Sequence, residues 1–203
     1  MNEFLNRADD LDANYDSQLN PARPIQIGVI ARLTELKGIE YTAAAFVKFL
    51  GDFPNSHLSL VGAKADSFCE VSRILSSVPS SNYDFIDFNS DIPSFFQSLD
   101  MLVHVPIAID IESFGLVYME ALAFGVPSIF TLSGILNEIP QVEKYAQIVP
   151  YMDSEAIYLA MIKFASNSLS SMDRFPLHLM SQFGIEEMAD LYFDEICTDL
   201  GSH

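Results

Sequence analysis

Positively charged residues are scarce in this chain of 203 residues. Lysine and arginine together number 10, against 28 aspartates and glutamates, which gives a formal net charge of −18. Sequence-independent binding to nucleic acid depends on contacts between basic side chains and phosphates, so the composition argues against this class of function. The same shortage disfavours binding to an anionic membrane surface.

Cysteine is also rare, which limits the kinds of cross-link that the chain can form. Cys69 and Cys197 are the only two, and they lie far apart without a CxxC pair. A disulfide framework and a zinc ribbon are therefore both ruled out. The first 24 residues contain five acidic residues and no apolar run, so they do not have the pattern of a signal peptide. We therefore expect a reducing, cytoplasmic location.

Long uninterrupted hydrophobic stretches are missing as well. Residues 114–132 come closest, but they contain Gly115, Glu120, Gly125 and Pro127. A buried helix followed by a buried strand explains this pattern better than a membrane span. A P-loop, a nucleophile elbow and a GxGxxG motif are absent from the sequence.

The apolar residues that are present predict a folded α/β domain. Half of the chain is apolar, so it can bury a core and general disorder is excluded. Short apolar runs alternate with segments of helical period from Ile25 to Ala165, which indicates βαβ units and a doubly wound, Rossmann-like parallel sheet of about six strands. We interpret residues 1–24 as a polar tail or linker remnant, and residues 25–200 as one domain.

The alternation also predicts the individual elements and the loops where a site should lie. Strands are expected at 25–31, 58–61, 83–88, 101–105, 126–130 and 147–149. Helices are expected at 39–50, 67–75, 92–99, 113–124, 153–165 and 185–200, with Ser113 and Asp153 as caps. Ligands of such sheets bind at the carboxyl ends of the strands. The loops of interest are therefore 32–38, 62–66, 89–91, 106–113 and 131–138.

The first of these loops carries two of the ten cations. Arg32 and Lys37 follow the first predicted strand and lie beside the start of the next helix. Fixed cations near a helix N-terminus suit a phosphate or a diphosphate. The alternative is that both are solvated surface residues.

The fourth strand leads into a second candidate cluster. Glu112 precedes a predicted helix, and Glu120 lies eight residues later inside an otherwise apolar helix. The backbone N–H groups of residues 114–116 could receive an anion, with a carboxylate on either side for hydroxyl groups. The alternative is that Glu112 is a solvated capping residue and Glu120 a structural ion-pair partner.

Two further features are weaker when taken alone. The loop Ser133–Glu138 follows the fifth predicted strand, and its composition is equally typical of an ordinary turn. His104 lies within an apolar strand next to Pro106, where a core histidine is the more common outcome and a role near a ligand is the alternative.

Together these clusters resemble the C-terminal, donor-binding domain of family 4 (group 1) retaining glycosyltransferases, the glycogen-synthase and sucrose-synthase type with a GT-B fold. The family's opening G-x-x-x-R-x-x-x-x-K-G motif is matched by Gly28, Arg32, Lys37 and Gly38. Residues 112–127 fit the family's E-x-F-G and x-x-x-E-A-x-A-x-G-x-P motifs throughout. The family's G-G-x-x-E loop corresponds to Ser133, Gly134 and Glu138, with serine in place of the first glycine and one additional residue before the glutamate. The resemblance covers about residues 25–198.

The resemblance implies a role for each matched residue. Arg32 and Lys37 would bind the diphosphate of a nucleotide sugar and stabilise the departing nucleotide. Glu112 would contact the donor sugar and support the charged transition state, while Glu120 would hold the ribose hydroxyls. The remaining donor contacts would come from the backbone of Phe114, Gly115 and Leu116 and from the loop at Gly134.

The implied function is that of a hexosyltransferase-type glycosyltransferase that moves a sugar from a nucleotide-diphosphate donor to an unidentified acceptor. No cofactor is implied, and no metal, since the only D-x-E pattern, Asp110 to Glu112, is a poor metal motif by itself. The family's N-terminal acceptor-binding domain has no counterpart in these residues. We therefore expect a partner chain or a second copy to supply it, and little or no transfer by the chain alone.

Two other functions remain open at this point. One is a non-catalytic nucleotide-sugar-binding or scaffold subunit of a glycosyltransferase complex. The other is a sugar-nucleotide epimerase on the same fold, which would need a histidine or an acid from the absent half.

Overall fold

The computed structural model describes residues 23–62, 69–166 and 172–176. These residues form six β-strands: β1 (Ile25–Ile30), β2 (Ser56–Val61), β3 (Tyr83–Ile86), β4 (Met101–His104), β5 (Ser128–Phe130) and β6 (Gln147–Ile148). They also form five α-helices: α1 (Ile39–Asp52), α2 (Cys69–Leu75), α3 (Ile92–Ser98), α4 (Leu116–Ala123) and α5 (Ser154–Ala165). The helix predicted at 185–200 and residues 1–22 of the predicted tail lie outside the described residues.

All six strands belong to one parallel sheet, which confirms the predicted α/β, Rossmann-like fold class. The strand order is β3-β2-β1-β4-β5-β6, and every neighbouring pair is parallel. The chain therefore builds outward from β1 to β3 and then returns to the other side of β1. The carboxyl ends of β1 and β4 border the point where this winding reverses, which is where open α/β sheets form a ligand crevice.

Helices cover both faces of this sheet, and β4 shows how the strand residues divide between them. All four residues of β4 are buried, as expected for a central parallel strand. Met101 and Val103 belong to the core under α1 and α5, whereas Leu102 belongs to the core under α3 and α4. Because side chains alternate along a strand, His104 lies on the same face as Leu102.

The long apolar run at 114–132 forms a helix and a strand, as predicted, but the helix begins later than expected. Asp153 caps α5 as predicted, since its side chain accepts a hydrogen bond from the N–H of Ala156. The predicted cap at Ser113 is wrong, because α4 begins at Leu116 and its N-cap is Gly115 with a φ of +87°. A Cβ at Gly115 would lie 2.4 Å from the ring of Tyr118, so this turn requires glycine.

The segment before β1 is bound at the amino ends of the strands, whereas the candidate loops lie at their carboxyl ends. The guanidinium of Arg23 donates hydrogen bonds to both carboxylate oxygens of Asp100, whose side chain is 4% exposed. The backbone N–H of Gln26 donates to the same carboxylate over 2.8 Å. These bonds satisfy a buried charge and hold the start of β1 beside the start of β4.

A helix that crosses a membrane must be both long and apolar. None of the described helices, within the ranges given above, is both long enough and apolar enough to cross a membrane.

Candidate functional site

The loops that follow β1 and β4 meet at the crevice. The N–H of Ile107 donates a hydrogen bond of 3.1 Å to the carbonyl oxygen of Leu36. Gly38 ends a 3-10 turn with a φ of +63°, and a Cβ there would lie 2.1 Å from the carbonyl oxygen of Val105. Only glycine allows this approach, which brings the neighbouring Lys37 against the loop after β4.

Lys37, His104 and Glu112 form one hydrogen-bonded cluster in this crevice. The Nζ of Lys37 and the Nε2 of His104 each lie 2.7 Å from the same oxygen, Oε1 of Glu112. The exposed fractions of the three side chains are 15% for Lys37, 3% for His104 and 14% for Glu112. Charge-assisted hydrogen bonds shielded in this way are stronger than those between neutral groups or in open water.

The loop after β5 fixes the backbone of Glu112. The Oγ of Ser133 accepts a hydrogen bond of 3.0 Å from the N–H of Glu112 and donates one of 3.1 Å to the carbonyl oxygen of Ile109. A Cβ at Gly134 would lie 2.5 Å from the carbonyl oxygen of Phe114 and 3.0 Å from the Cβ of Glu112. The buried Ser133, which departs from the family pattern, thus helps to position Glu112.

The surroundings of Glu112 determine its charge. Burial alone would raise the pKa of its carboxyl group, but hydrogen bonds from His104 and Lys37, together with their charges, lower this pKa to about 2. Glu112 is therefore an anion at any pH near neutrality, and it is held in that state by two donors.

We expect the contribution of Glu112 to stability to disappear on acidification. Its pKa in the folded protein lies below the ordinary value of 4.5, so the unfolded chain takes up the proton first as the pH falls. This contribution is fully present above pH 4.5 and is lost as the pH falls towards 2. The difference in the free energy of unfolding between wild type and Glu112→Gln should shrink by roughly 3 kcal/mol over that window in urea titrations.

The exposed Glu155, which pairs with Lys48, supplies the control for this prediction. An exposed ion pair contributes little to stability, so Glu155→Gln should follow the wild-type pH profile closely. Parallel profiles for wild type and Glu112→Gln would contradict the assignment of Glu112 as a strongly held anion.

Two other predicted site residues form no hydrogen bond or ion pair with this cluster. Arg32 is exposed and forms no ion pair with any of the described residues. Glu120 is partly buried one turn into α4, where burial raises the pKa of its carboxyl group, and its side chain hydrogen-bonds to no residue within the described ranges. The convergence of Arg32 and Glu120 on the site of Lys37 and Glu112 stays a prediction.

The start of α4 adds unpaired hydrogen-bond donors close to the cluster. In the part of the chain that the structure describes, the N–H groups of Gly115 and Leu116 donate to no acceptor. The side chain of Leu116 is 56% exposed, so the helix start opens to solvent. Such N–H groups and the helix dipole favour an anion at this position.

Sequence reasoning left His104 open and did not anticipate the role of Ser133. The pairing of His104 with Glu112 depends on how the loop after β4 folds back, which a single sequence does not reveal. The sequence offered one signal for this pairing: His104 lies near the end of a predicted strand, and the loop that follows contains the candidate site residue Glu112.

A metal site in a protein usually needs three or more ligating side chains. Within the described residues, no group of three or more histidine, cysteine, aspartate or glutamate side chains is placed to hold a metal ion. A metal-independent site stays a prediction.

The chain is similar to a known protein family and to a curated protein. Residues 12–175 match the family described as glycosyl transferases group 1. The alpha-monoglucosyldiacylglycerol synthase of Acholeplasma laidlawii is 30% identical over 112 residues, which cover 54% of this chain and 27% of that protein. The chain thus spans about a quarter of the length of this curated relative.

Solved structures also share this fold, GT-B glycosyltransferases among them, and two examples follow. The C-terminal domain of a glycosyl transferase group 1 family protein (LpcC) from Francisella tularensis has a TM-score of 0.59 and 23% identity, covering 72% of this chain and 78% of that one. Anabaena HepE in complex with UDP-glucose has a TM-score of 0.66 and 18% identity, covering 94% of this chain and 53% of that one. Since the family match extends over most of its length, this chain belongs to the group 1 glycosyltransferase family.

Proposed function

We propose that residues 25–200 are the C-terminal, donor-binding domain of a retaining family 4 glycosyltransferase. The observation that carries this proposal is the contact between the Lys37 ammonium and the Glu112 carboxylate, beside the unpaired N–H groups at the start of α4. A cation, an anion and a helix N-terminus thus share the crevice where the winding of the sheet reverses. These are the groups needed to bind a diphosphate and a sugar at one place.

The donor diphosphate is assigned to the positive groups of the crevice. Lys37 and the N–H groups of Gly115 and Leu116 would hydrogen-bond to phosphate oxygens, with Arg32 as a second cation. Glu120 would accept hydrogen bonds from the ribose hydroxyls. The loop at Gly134, packed against Phe114 and Glu112, would bring its backbone close to the sugar.

The reaction breaks the bond between the anomeric carbon of the sugar and a phosphate oxygen, which leaves with the electron pair. The acceptor nucleophile forms the new bond to the anomeric carbon, and its proton passes to the departing nucleoside diphosphate. Lys37 and Arg32 would stabilise the negative charge that develops on the departing nucleoside diphosphate. Glu112, ionised because the pKa of its carboxyl is about 2, would stabilise the positive charge that develops on the sugar. We propose no cofactor and no metal for this step, and retention of configuration follows from the family resemblance.

Acceptor binding is assigned to a domain outside residues 25–200. The chain spans 53% of the length of HepE, so whole-protein relatives contain a further region of similar size. Aligning two reactants contributes roughly 7–11 kcal/mol to the lowering of a barrier, so the donor-binding domain by itself should transfer sugar very slowly. The acceptor-binding domain would come from a partner chain, a second copy or the same polypeptide.

Calorimetric titration with nucleoside diphosphates and nucleotide sugars tests the proposal. HepE was solved with UDP-glucose, so UDP and UDP-glucose are the first ligands to try, followed by their guanosine and adenosine counterparts. We expect at least one to bind, and a concentration of about 100 times its dissociation constant should raise the free energy of unfolding by about 2.7 kcal/mol. If none binds, the proposal fails. If one binds but no transfer occurs with an acceptor domain added, a non-catalytic binding subunit is the better assignment.

A further inference from the structure

The two donors that share the Glu112 carboxylate differ in their freedom to move. Lys37 lies in a short 3-10 turn whose other two residues, Glu35 and Leu36, are exposed. Its ammonium ends a side chain with four rotatable bonds, and Glu112 is its only side-chain partner within the described ranges. Lys37 can therefore turn towards another anion without disturbing the core.

His104, in contrast, is held rigidly. It is the last residue of β4 and is 3% exposed. Its ring packs edge-on against Tyr118 with a centroid distance of 4.9 Å and an interplanar angle of 85°, and Tyr118 packs in turn against Phe130. An imidazole that is buried and packed in this way has less freedom to move than the Lys37 ammonium.

One of the two ring nitrogens of His104 has a hydrogen-bond partner among the described residues. Nε2 lies 2.7 Å from the carboxylate of Glu112, so Nε2 carries the proton and donates it. Nδ1 is buried and has no hydrogen-bond partner among the described residues. Core packing alone does not require a ring nitrogen within hydrogen-bond distance of a carboxylate. The polar interaction of the His104 ring is therefore its hydrogen bond to Glu112.

A bound diphosphate would compete with Glu112 for one of its two hydrogen-bond donors, the Lys37 ammonium. It carries more than one negative charge and would draw the Lys37 ammonium away from the single charge of Glu112. A partly buried carboxylate without a donor tends to take up a proton or to turn away. The groups that face Glu112 are Lys37 and His104 on the donor side and the neutral phenol of Tyr118.

We propose that His104 is the positioning residue that keeps the Glu112 carboxylate ionised and in place after Lys37 has moved to the donor diphosphate. This inference rests on the proposed function for its last step, the transfer of Lys37 to the phosphate. The hold of His104 on Glu112 is a property of the ligand-free protein and is testable without any nucleotide.

Carbon-13 NMR of the glutamate carboxyl groups measures that hold in the full chain. The Glu112 signal is assigned by its loss in Glu112→Gln and followed from pH 7 to pH 4. In Lys37→Met, which imitates withdrawal of the lysine, Glu112 should remain ionised down to pH 5. Protonation of Glu112 above pH 5 in this variant would overturn the proposal.

Double variants then assign the effect to the N–H donor of His104 rather than to its shape. Adding His104→Phe to Lys37→Met keeps a buried ring without a donor, and protonation should shift upward by more than about one pH unit. Adding His104→Gln in its place restores an N–H near the position of Nε2 and should restore the ionised state. If the phenylalanine variant unfolds, His104→Leu serves as the smaller replacement without a donor. If Glu112 takes up its proton at the same pH in the variants with and without an N–H donor at position 104, the proposal is overturned.

Saturation with UDP tests the transfer of Lys37. Glu112 should stay ionised at pH 5 in UDP-saturated wild type and become protonated in UDP-saturated His104→Phe. An ionised Glu112 in both complexes would overturn the transfer step. If UDP and the other nucleotides fail to bind wild type, the proposed function and the transfer step fail together, while the Lys37→Met series still decides whether His104 holds Glu112.

Discussion

Replacing Lys37 with alanine should weaken the binding of a nucleoside diphosphate by roughly 10- to 100-fold. The ammonium would form a charge-assisted hydrogen bond to the diphosphate, and a hydrogen bond to a charged group contributes about 1.5–3 kcal/mol. The side chain is only 15% exposed, so water weakens this interaction less than it would in an open loop. Isothermal titration with UDP at constant ionic strength measures the change.

Lys48 provides the matched control for this substitution. It lies on α1 and pairs with Glu155, with about half of each side chain exposed. Lys48→Ala removes the same formal charge from the protein without touching the crevice, so the affinity for UDP should change by less than about twofold. Equal losses in the two variants would mean that only net charge matters. An unchanged affinity in Lys37→Ala would rule out Lys37 as a ligand of the proposed diphosphate site.

Replacing Gly38 with alanine should lower the free energy of unfolding by about 3 kcal/mol. The φ of +63° is costly for any residue with a Cβ, by about 1–2 kcal/mol. The added Cβ would also lie 2.1 Å from the carbonyl oxygen of Val105, which is backbone and cannot rotate away. Either the turn before α1 or the loop after β4 must therefore shift. Urea unfolding followed by circular dichroism measures the loss.

Gly51→Ala is the control that shows whether the loss of stability is specific to Gly38 or follows from replacing any glycine. Gly51 lies in the last turn of α1, and a Cβ there would meet nothing within 4 Å. Gly51→Ala should stabilise the protein by up to about 1 kcal/mol, because alanine is the better helix former. Gly38→Ala should also weaken UDP binding, since Lys37 would lose its position beside Glu112. A loss of stability in Gly51→Ala equal to that in Gly38→Ala would contradict this account.

The sequence by itself determined the fold class and most of the elements, because these depend on local patterns. Apolar runs bounded by turn residues predicted all six strands, and helical periodicity predicted the helices that lie within the described ranges. The side chain of Asp153 caps α5 as the sequence indicated. Even the contact of Lys37 with the Glu112 loop follows partly from sequence, since both residues come after strands whose carboxyl ends lie at one edge of a parallel sheet.

Only the tertiary structure decided which of these loops meet and which atoms join. The strand order places β4 directly beside β1, although 70 residues separate Ile30 from Met101 in the chain, and this pairing brings Lys37 to Glu112. The roles of His104 and Ser133 depend on hydrogen bonds that form after the loops have packed. Ser113 does not cap α4, because the helix begins only at Leu116, after Gly115, where a Cβ would clash with the ring of Tyr118. Such contacts join residues distant in sequence, and local propensity carries no information about them.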